Sequence, residues 1–165
     1  MSALTSNCIV PFNLTKRNDL GTAYANITLM TSTGAKYIPQ YVNTGSSIYF
    51  NQYNKLASIA WLTANELTFL KNGTFRIQFF INYTSTYGNI QITLYVNGIP
   101  LVGTYGTTSN LTFNGGQING EFTVKLSAND KIQLINTSSG SFVISPTGNN
   151  NQVLASWTVT EIGSQ

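Results

Sequence analysis

Five carboxylates, Asp19, Glu66, Glu121, Asp130 and Glu161, are the only acidic side chains in this 165-residue sequence, and it contains no histidine. Ser-His-Asp and Cys-His nucleophilic arrangements are therefore impossible, and so are the usual zinc sites. Catalysis by two carboxylates needs a closely placed pair, whereas the five acids fall in separate turns and strands of the sequence. No enzymatic activity is expected, and no cofactor. Cys8 is the single cysteine, which excludes an intrachain disulfide and any Cys-based metal site built from one chain. It reads as a buried strand thiol or as half of an interchain bridge near a symmetry axis. Asp130, in Ala128-Asn129-Asp130, is the best metal candidate. A hard cation takes about six to eight oxygens, so this segment reads as a turn former unless three subunits share one ion.

Asn13, Asn26, Asn72, Asn82, Asn110 and Asn136 each open an Asn-x-Ser/Thr triplet. In a chain so rich in Asn and Thr such triplets arise from composition alone; the functional reading is glycosylation of an exposed surface. Asn72, in the Lys71-Asn72-Gly73 turn, is the most exposed candidate acceptor. Tyr87 and Tyr105 lie in polar segments with Asn, Gly and Thr nearby, where a ring can stack on a sugar while amides bond its hydroxyls. The alternative is that these tyrosines cover a neighbouring loop.

Charged residues make up 8% of the chain and apolar residues 42%, against a usual charged share of about 25%. The surface is thus built from Asn, Thr, Ser, Gln, Gly and Tyr, which suits a protein outside the cytosol or inside a large assembly. The net charge of +3 comes from scattered basic residues, of which only Lys16 and Arg17 are adjacent. No basic stripe is present, so nucleic-acid binding is not expected. The opening MSALTSNCIVPFNLT lacks a basic stretch followed by a long apolar run, and nothing approaches the ~20 apolar residues of a membrane span. Neither export by the ordinary signal route nor membrane insertion is expected.

The elements that must hold these groups are strands. GTFRIQFFINYT places Ile77, Phe79, Ile81 and Tyr83 on one face, and NIQITLYVNG does the same for Ile90, Ile92, Leu94 and Val96. The short link Ser85-Thr86-Tyr87-Gly88 suggests that these two strands pair as an antiparallel hairpin, and Asn97-Gly98 suggests a tight type I′ turn. Shorter strands are expected in CIVPFNL, AYANITLMT, KYIPQYV and SSIYFN, with prolines favouring sheet edges. KLASIAWLTANEL approximates helical spacing, but Trp61, Ile59 and Thr63 favour an extended reading. Ile99 to Thr104 and Leu111 to Phe113 read as brief strands separated by the loop GTYGTTSN. GEFTVKLSA turns Phe122, Val124 and Leu126 inward, and Asn129-Asp130 leads into KIQLINT, SFVIS and VLASWTVTEI. Ten to twelve strands without helical crossovers define an all-β chain, an antiparallel β-sandwich formed by one domain over residues 1–165.

The arrangement resembles the trimeric jelly roll of the complement C1q and tumour necrosis factor superfamily, and most closely the C-terminal domains of collagen-like spore-surface glycoproteins. The residues that carry the resemblance are VPFN at Val10 to Asn13, ELTFLKNGTFRI at Glu66 to Ile77, LYVNGIPLVG at Leu94 to Gly103, and FTVKLSANDKIQL at Phe122 to Leu134. Asn129 stands where the family usually has Gly, a change that a left-handed turn tolerates. A collagen-like Gly-x-y stalk is missing, which implies a free-standing domain or one built into a shell. Viral jelly-roll structural proteins are similar in the same way.

The resemblance implies a homotrimer, and the faces suggest where it forms. Opposite the core face of the expected hairpin stand Phe80 and Tyr95 among Gln78 and Thr93, an aromatic pair flanked by uncharged polar groups, as at a subunit interface. The function expected is a non-enzymatic structural or adhesive component of a particle exterior, a virion minor capsid, vertex or spike protein first. A spore-coat surface domain and a soluble glycan-binding module are the alternatives. Partners are then further copies of the chain, other shell or capsid proteins, and host-surface glycans.

Overall fold

Alternation of apolar and polar residues governs the structure, a computed structural model that describes residues 22–30, 39–83, 89–103, 105–108, 116–144 and 153–164. Thirteen strands occur among them: β1 (Tyr24–Met30), β2 (Gln40–Val42), β3 (Gln52–Ala57), β4 (Ile59–Thr63), β5 (Glu66–Phe69), β6 (Gly73–Tyr83), β7 (Asn89–Val96), β8 (Ile99–Pro100), β9 (Tyr105–Thr108), β10 (Gly116–Leu126), β11 (Lys131–Asn136), β12 (Phe142–Ile144) and β13 (Val153–Ser164). The described residues contain no helix. One sheet runs β10-β6-β13-β1-β3, a second runs β4-β5-β11-β7-β8 with β9 also on β7, and β12 pairs with β2. All named pairings are antiparallel.

The two large sheets face each other over one apolar core. From the first come Phe75, Ile77, Phe79 and Ile81 of β6 with Trp157 and Val159 of β13; from the second come Ile90, Ile92 and Leu94 of β7 with Ile132 and Leu134 of β11. Trp157 packs on Phe50 with ring centroids 5.7 Å apart. Phe79 lies over Phe122 and across Gly120, where an added Cβ would sit 2.3 Å from its ring. Each side chain of this kind stabilises by roughly 1.5–3 kcal/mol on burial.

The faces expected for β6 and β7 are correct, but their pairing is not. β6 has both edges occupied, by β10 from Gly73 to Tyr83 and by β13 over most of its length. β7 lies in the other sheet, paired with β11, β8 and β9. Period-two alternation identifies the buried face of a strand and carries no information on which strand bonds its edges. The link 84–88 lies outside the described residues.

Other expectations divide similarly. Asn97 (φ 52°) and Gly98 (φ 80°) form the positive-φ turn expected there, closing β7 onto β8. Asn129 adopts φ 75° between β10 and β11, the conformation that Asn tolerates in place of Gly. Lys55 to Leu67 contains no helix, as expected, but is divided among β3, β4 and β5: Ser58 (φ 56°) lies between β3, on the edge of the first sheet, and β4, on the edge of the second, and a turn at 64–65 leads into β5. The strand expected in SSIYFN reduces to a bridge between Ser47 and Ile135, with Ile48 N bonded to Leu134 O and Phe50 N to Ala64 O. Tyr105 to Thr108, expected as loop, is strand β9. The strands expected in CIVPFNL and at Leu111 to Phe113 lie outside the described residues, as does Cys8.

A partly buried ion pair ties the chain together near its first described strand. The Glu161 carboxylate accepts from Ala23 N (2.8 Å) and Lys71 Nζ (2.9 Å), and its second oxygen is 2.8 Å from the same ammonium. Burial would raise the Glu161 pKa, but the Lys71 hydrogen bond, the Ala23 N–H and the Lys71 charge outweigh it and hold the carboxyl below its ordinary value. A lowered folded-state pKa contributes stability above the unfolded value of about 4.3 that disappears as pH falls through the folded value. Glu161→Gln is therefore expected to lower the urea midpoint at pH 7 and to converge with the wild type in acid. A gap that persists unchanged at low pH would contradict this assignment.

Candidate functional site: the outer face of the five-stranded sheet

The residues that alternate with the core positions of β10, β6, β13, β1 and β3 form a broad polar face. Register sets its rows: Thr160 of β13 lies opposite Arg76 of β6 and Thr158 opposite Gln78, while Glu121 of β10 lies opposite Gln78 on the other side. Short hydroxyl and amide side chains dominate. Asn26 Nδ2 donates to Thr158 Oγ1 (2.8 Å), and Asn54 Nδ2 donates to Asn26 Oδ1 (2.7 Å). Lys55 Nζ stands 5.8 Å from the centre of the Tyr24 ring.

Two features interrupt this lattice. Phe80 is half-buried, with Ser156 of β13 and Asn119 of β10 as its cross-strand neighbours. Beside it, Arg76 donates to Glu121 Oε2 at 2.7 Å and Gln78 Nε2 donates to the same oxygen at 3.0 Å. The Arg76 hydrogen bond, joined by its charge and by the Gln78 hydrogen bond, holds the Glu121 carboxyl below its ordinary pKa and outweighs the opposing effect of burial.

The residues singled out from sequence separate between the two sheets. Phe80 and Gln78 share this face, whereas Tyr95 and Thr93 are on β7 in the other sheet. The four do not form the single aromatic-centred face expected of a β6–β7 hairpin. Tyr95 is half-buried opposite Gln133 and Pro100, and Thr93 is buried with its hydroxyl 2.8 Å from that of Thr137. Tyr87 lies outside the described residues. Tyr105 belongs to β9, where its backbone pairs with Ile92; its side chain is outside the described set.

Both Asp130 oxygens are hydrogen-bonded within its turn region. Its Oδ1 accepts from Asn97 Nδ2 (2.8 Å) and its Oδ2 from Ser127 N (2.7 Å). Glu66 faces Lys131 at 3.0 Å, so the four described acids sit in four separate settings. No group of three or more His, Cys, Asp or Glu residues suited to a metal occurs among the described residues.

The Asn-x-Ser/Thr candidates are also sorted by structure. Asn72 is exposed at the β5–β6 turn, its Oδ1 accepting from Ala128 N at 2.8 Å. Asn136, by contrast, has no exposed surface and donates to Val42 O (2.9 Å) and Gly140 O (3.1 Å). Asn26 and Asn82 spend their amide nitrogens on Thr158 Oγ1 and Val153 O. The Arg76–Glu121–Gln78 cluster was not anticipated. Its members alternate outward in sequence, but only the Gln78–Glu121 register brings them together.

The chain is similar in structure to Eiger TNF from S. frugiperda, with a TM-score of 0.66 and 11% identity over 87% of this chain and 94% of that one. It is similar to the globular domain of zebrafish complement 1qA, with a TM-score of 0.63 and 11% identity over 87% and 99%. Murine APRIL at pH 5.0 gives a TM-score of 0.60 and 6% identity over 86% and 100%. No family model matches the chain, and no curated protein matches it in sequence. The two facing sheets and these likenesses define an all-β, C1q/TNF-like jelly roll.

Proposed function

We propose that this chain is a non-enzymatic structural or adhesive module that assembles as a homotrimer on the exterior of a particle, a virion in the first instance. The observation that supports it is the outer face of the five-stranded sheet, where half-buried Phe80 has the uncharged Ser156 and Asn119 as cross-strand neighbours and Gln78 and Asn82 on either side along β6. Such a face loses water at low cost, and an aromatic centre within a polar surround is the usual composition of a subunit contact. Phe80 and Gln78 lie at the contact in this reading. The particle exterior is supported by the 8% charged composition.

Light scattering of the purified chain tests the assembly. A mass of three chains is expected, with Phe80→Asp shifting it to one while the circular dichroism stays that of a β protein. A Phe80→Asp variant that remains trimeric would remove this face from the contact. Particles from the natural source should contain the chain by mass spectrometry. Tyr41, Tyr49 and Tyr53, exposed at 72%, 52% and 58%, favour glycan contact as the second reading. Absence from every particle, together with binding of the soluble chain to one defined sugar, would favour that module instead.

A further inference from the structure

Among the described residues, the outward positions of the five strands carry four charged side chains, one of them Lys55 on the edge strand β3, over Tyr24. Lys125 stands at the end of the face, opposite Thr74. Arg76 and Glu121 stand further in, joined at 2.7 Å, with side chains 48% and 45% exposed. An ion pair this open to water adds little to the stability of an isolated chain. Its meaning changes if the face is covered. An ionised group that loses its water without a partner is strongly destabilising, whereas a mutually neutralised, hydrogen-bonded pair is tolerated.

The geometry fits that second situation. Arg76 and Gln78 both donate to Glu121 Oε2, so the carboxylate charge is neutralised by Arg76 and its oxygen is further hydrogen-bonded by Gln78, both on the neighbouring strand. A guanidinium has five N–H donors, and those not spent on Glu121 remain for acceptors across an interface. The adjoining positions, Thr158, Thr160 and Thr123, are hydroxyls able to accept or donate. We infer that the Arg76–Glu121 pair, steadied by Gln78, is the specificity element of this face: it leaves the middle of the face neutral, with Lys55 and Lys125 at its margins, so that the partner it admits there is another copy of this chain presenting the same uncharged polar centre. This rests on the homotrimer reading, with the face itself as the contact.

Sedimentation velocity on the full chain tests it with two variants. Glu121→Gln leaves Arg76 as an uncompensated cation, and the apparent affinity for assembly should fall at least about 100-fold. Its urea midpoint, measured at concentrations where the chain is monomeric, should stay near that of the wild type. The double variant Arg76→Gln/Glu121→Gln removes both charges and should recover assembly to within about tenfold of the wild type. Assembly of Glu121→Gln equal to the wild type overturns the inference, and so does a double variant as defective as the single one. A wild-type chain that is monomeric throughout contradicts the trimer reading itself, an outcome distinct from either of these.

Discussion

Trp157→Ala is expected to lower the unfolding free energy by about 3–5 kcal/mol, a large share of the roughly 5–15 kcal/mol of a typical domain. Trp157 is fully buried on β13, a central strand of its sheet, and packs on Phe50 from beyond that sheet. Truncation removes the transfer energy of the indole and leaves a cavity that two hydrogen-bonded sheets cannot collapse into. Its indole N–H has no hydrogen-bond partner among the described residues, so Trp157→Phe gives up volume without breaking a bond and should cost much less. Urea titrations with unchanged m-values are the measurement. Equal midpoints for the two variants would mean that the core does not depend on this ring.

Asn136→Asp should be comparably severe, although the two side chains have nearly the same shape. The native amide donates to Val42 O on β2 and to Gly140 O, and its oxygen accepts from Ser138 N at 2.9 Å and from the Ser138 hydroxyl. An aspartate removes both donors and points a charge at two carbonyl oxygens in a site with no exposed surface. An uncompensated buried charge costs about 3–5 kcal/mol. Burial raises the folded-state pKa of the introduced carboxyl above its unfolded value. Its destabilisation is then present at neutral pH and relieved as pH falls toward the unfolded value. Thermal melts at pH 7 and pH 4 should show the variant recovering toward the wild type on acidification; a deficit independent of pH would point to the lost donors alone.

Both substitutions act where strands from different parts of the chain meet, and the sequence reported only half of each site. Alternation along GTFRIQFFINYT and GEFTVKLSA marked Ile77, Phe79, Phe122 and Leu126 as core, and all four are buried. The hydrophobic effect acts on each strand separately, so a buried face is legible from the strand alone. Turn chemistry was legible for the same local reason: Asn97-Gly98 and Asn129 carry positive φ because their own backbone conformations require it. The missing histidines and the solitary cysteine constrain the chemistry without any structure.

Partner choice was not legible. β6 selects β10 and β13 over the adjacent β7 because backbone hydrogen bonding is nearly indifferent to sequence, and the closing of two sheets over one core decides which edges meet. Phe80 and Tyr95 alternate identically along their strands, but that closure sends them to different sheets. The same closure sets Arg76 beside Glu121, 45 residues away, and brings the Val42 carbonyl, 94 residues away, onto the Asn136 amide. The sequence by itself determined an all-β sandwich, the inward face of its longer strands and the chemistry it lacks. Tertiary structure alone decided the composition of the outer face, because that face is made of register between strands distant in sequence, and register is fixed by the packing of the whole core.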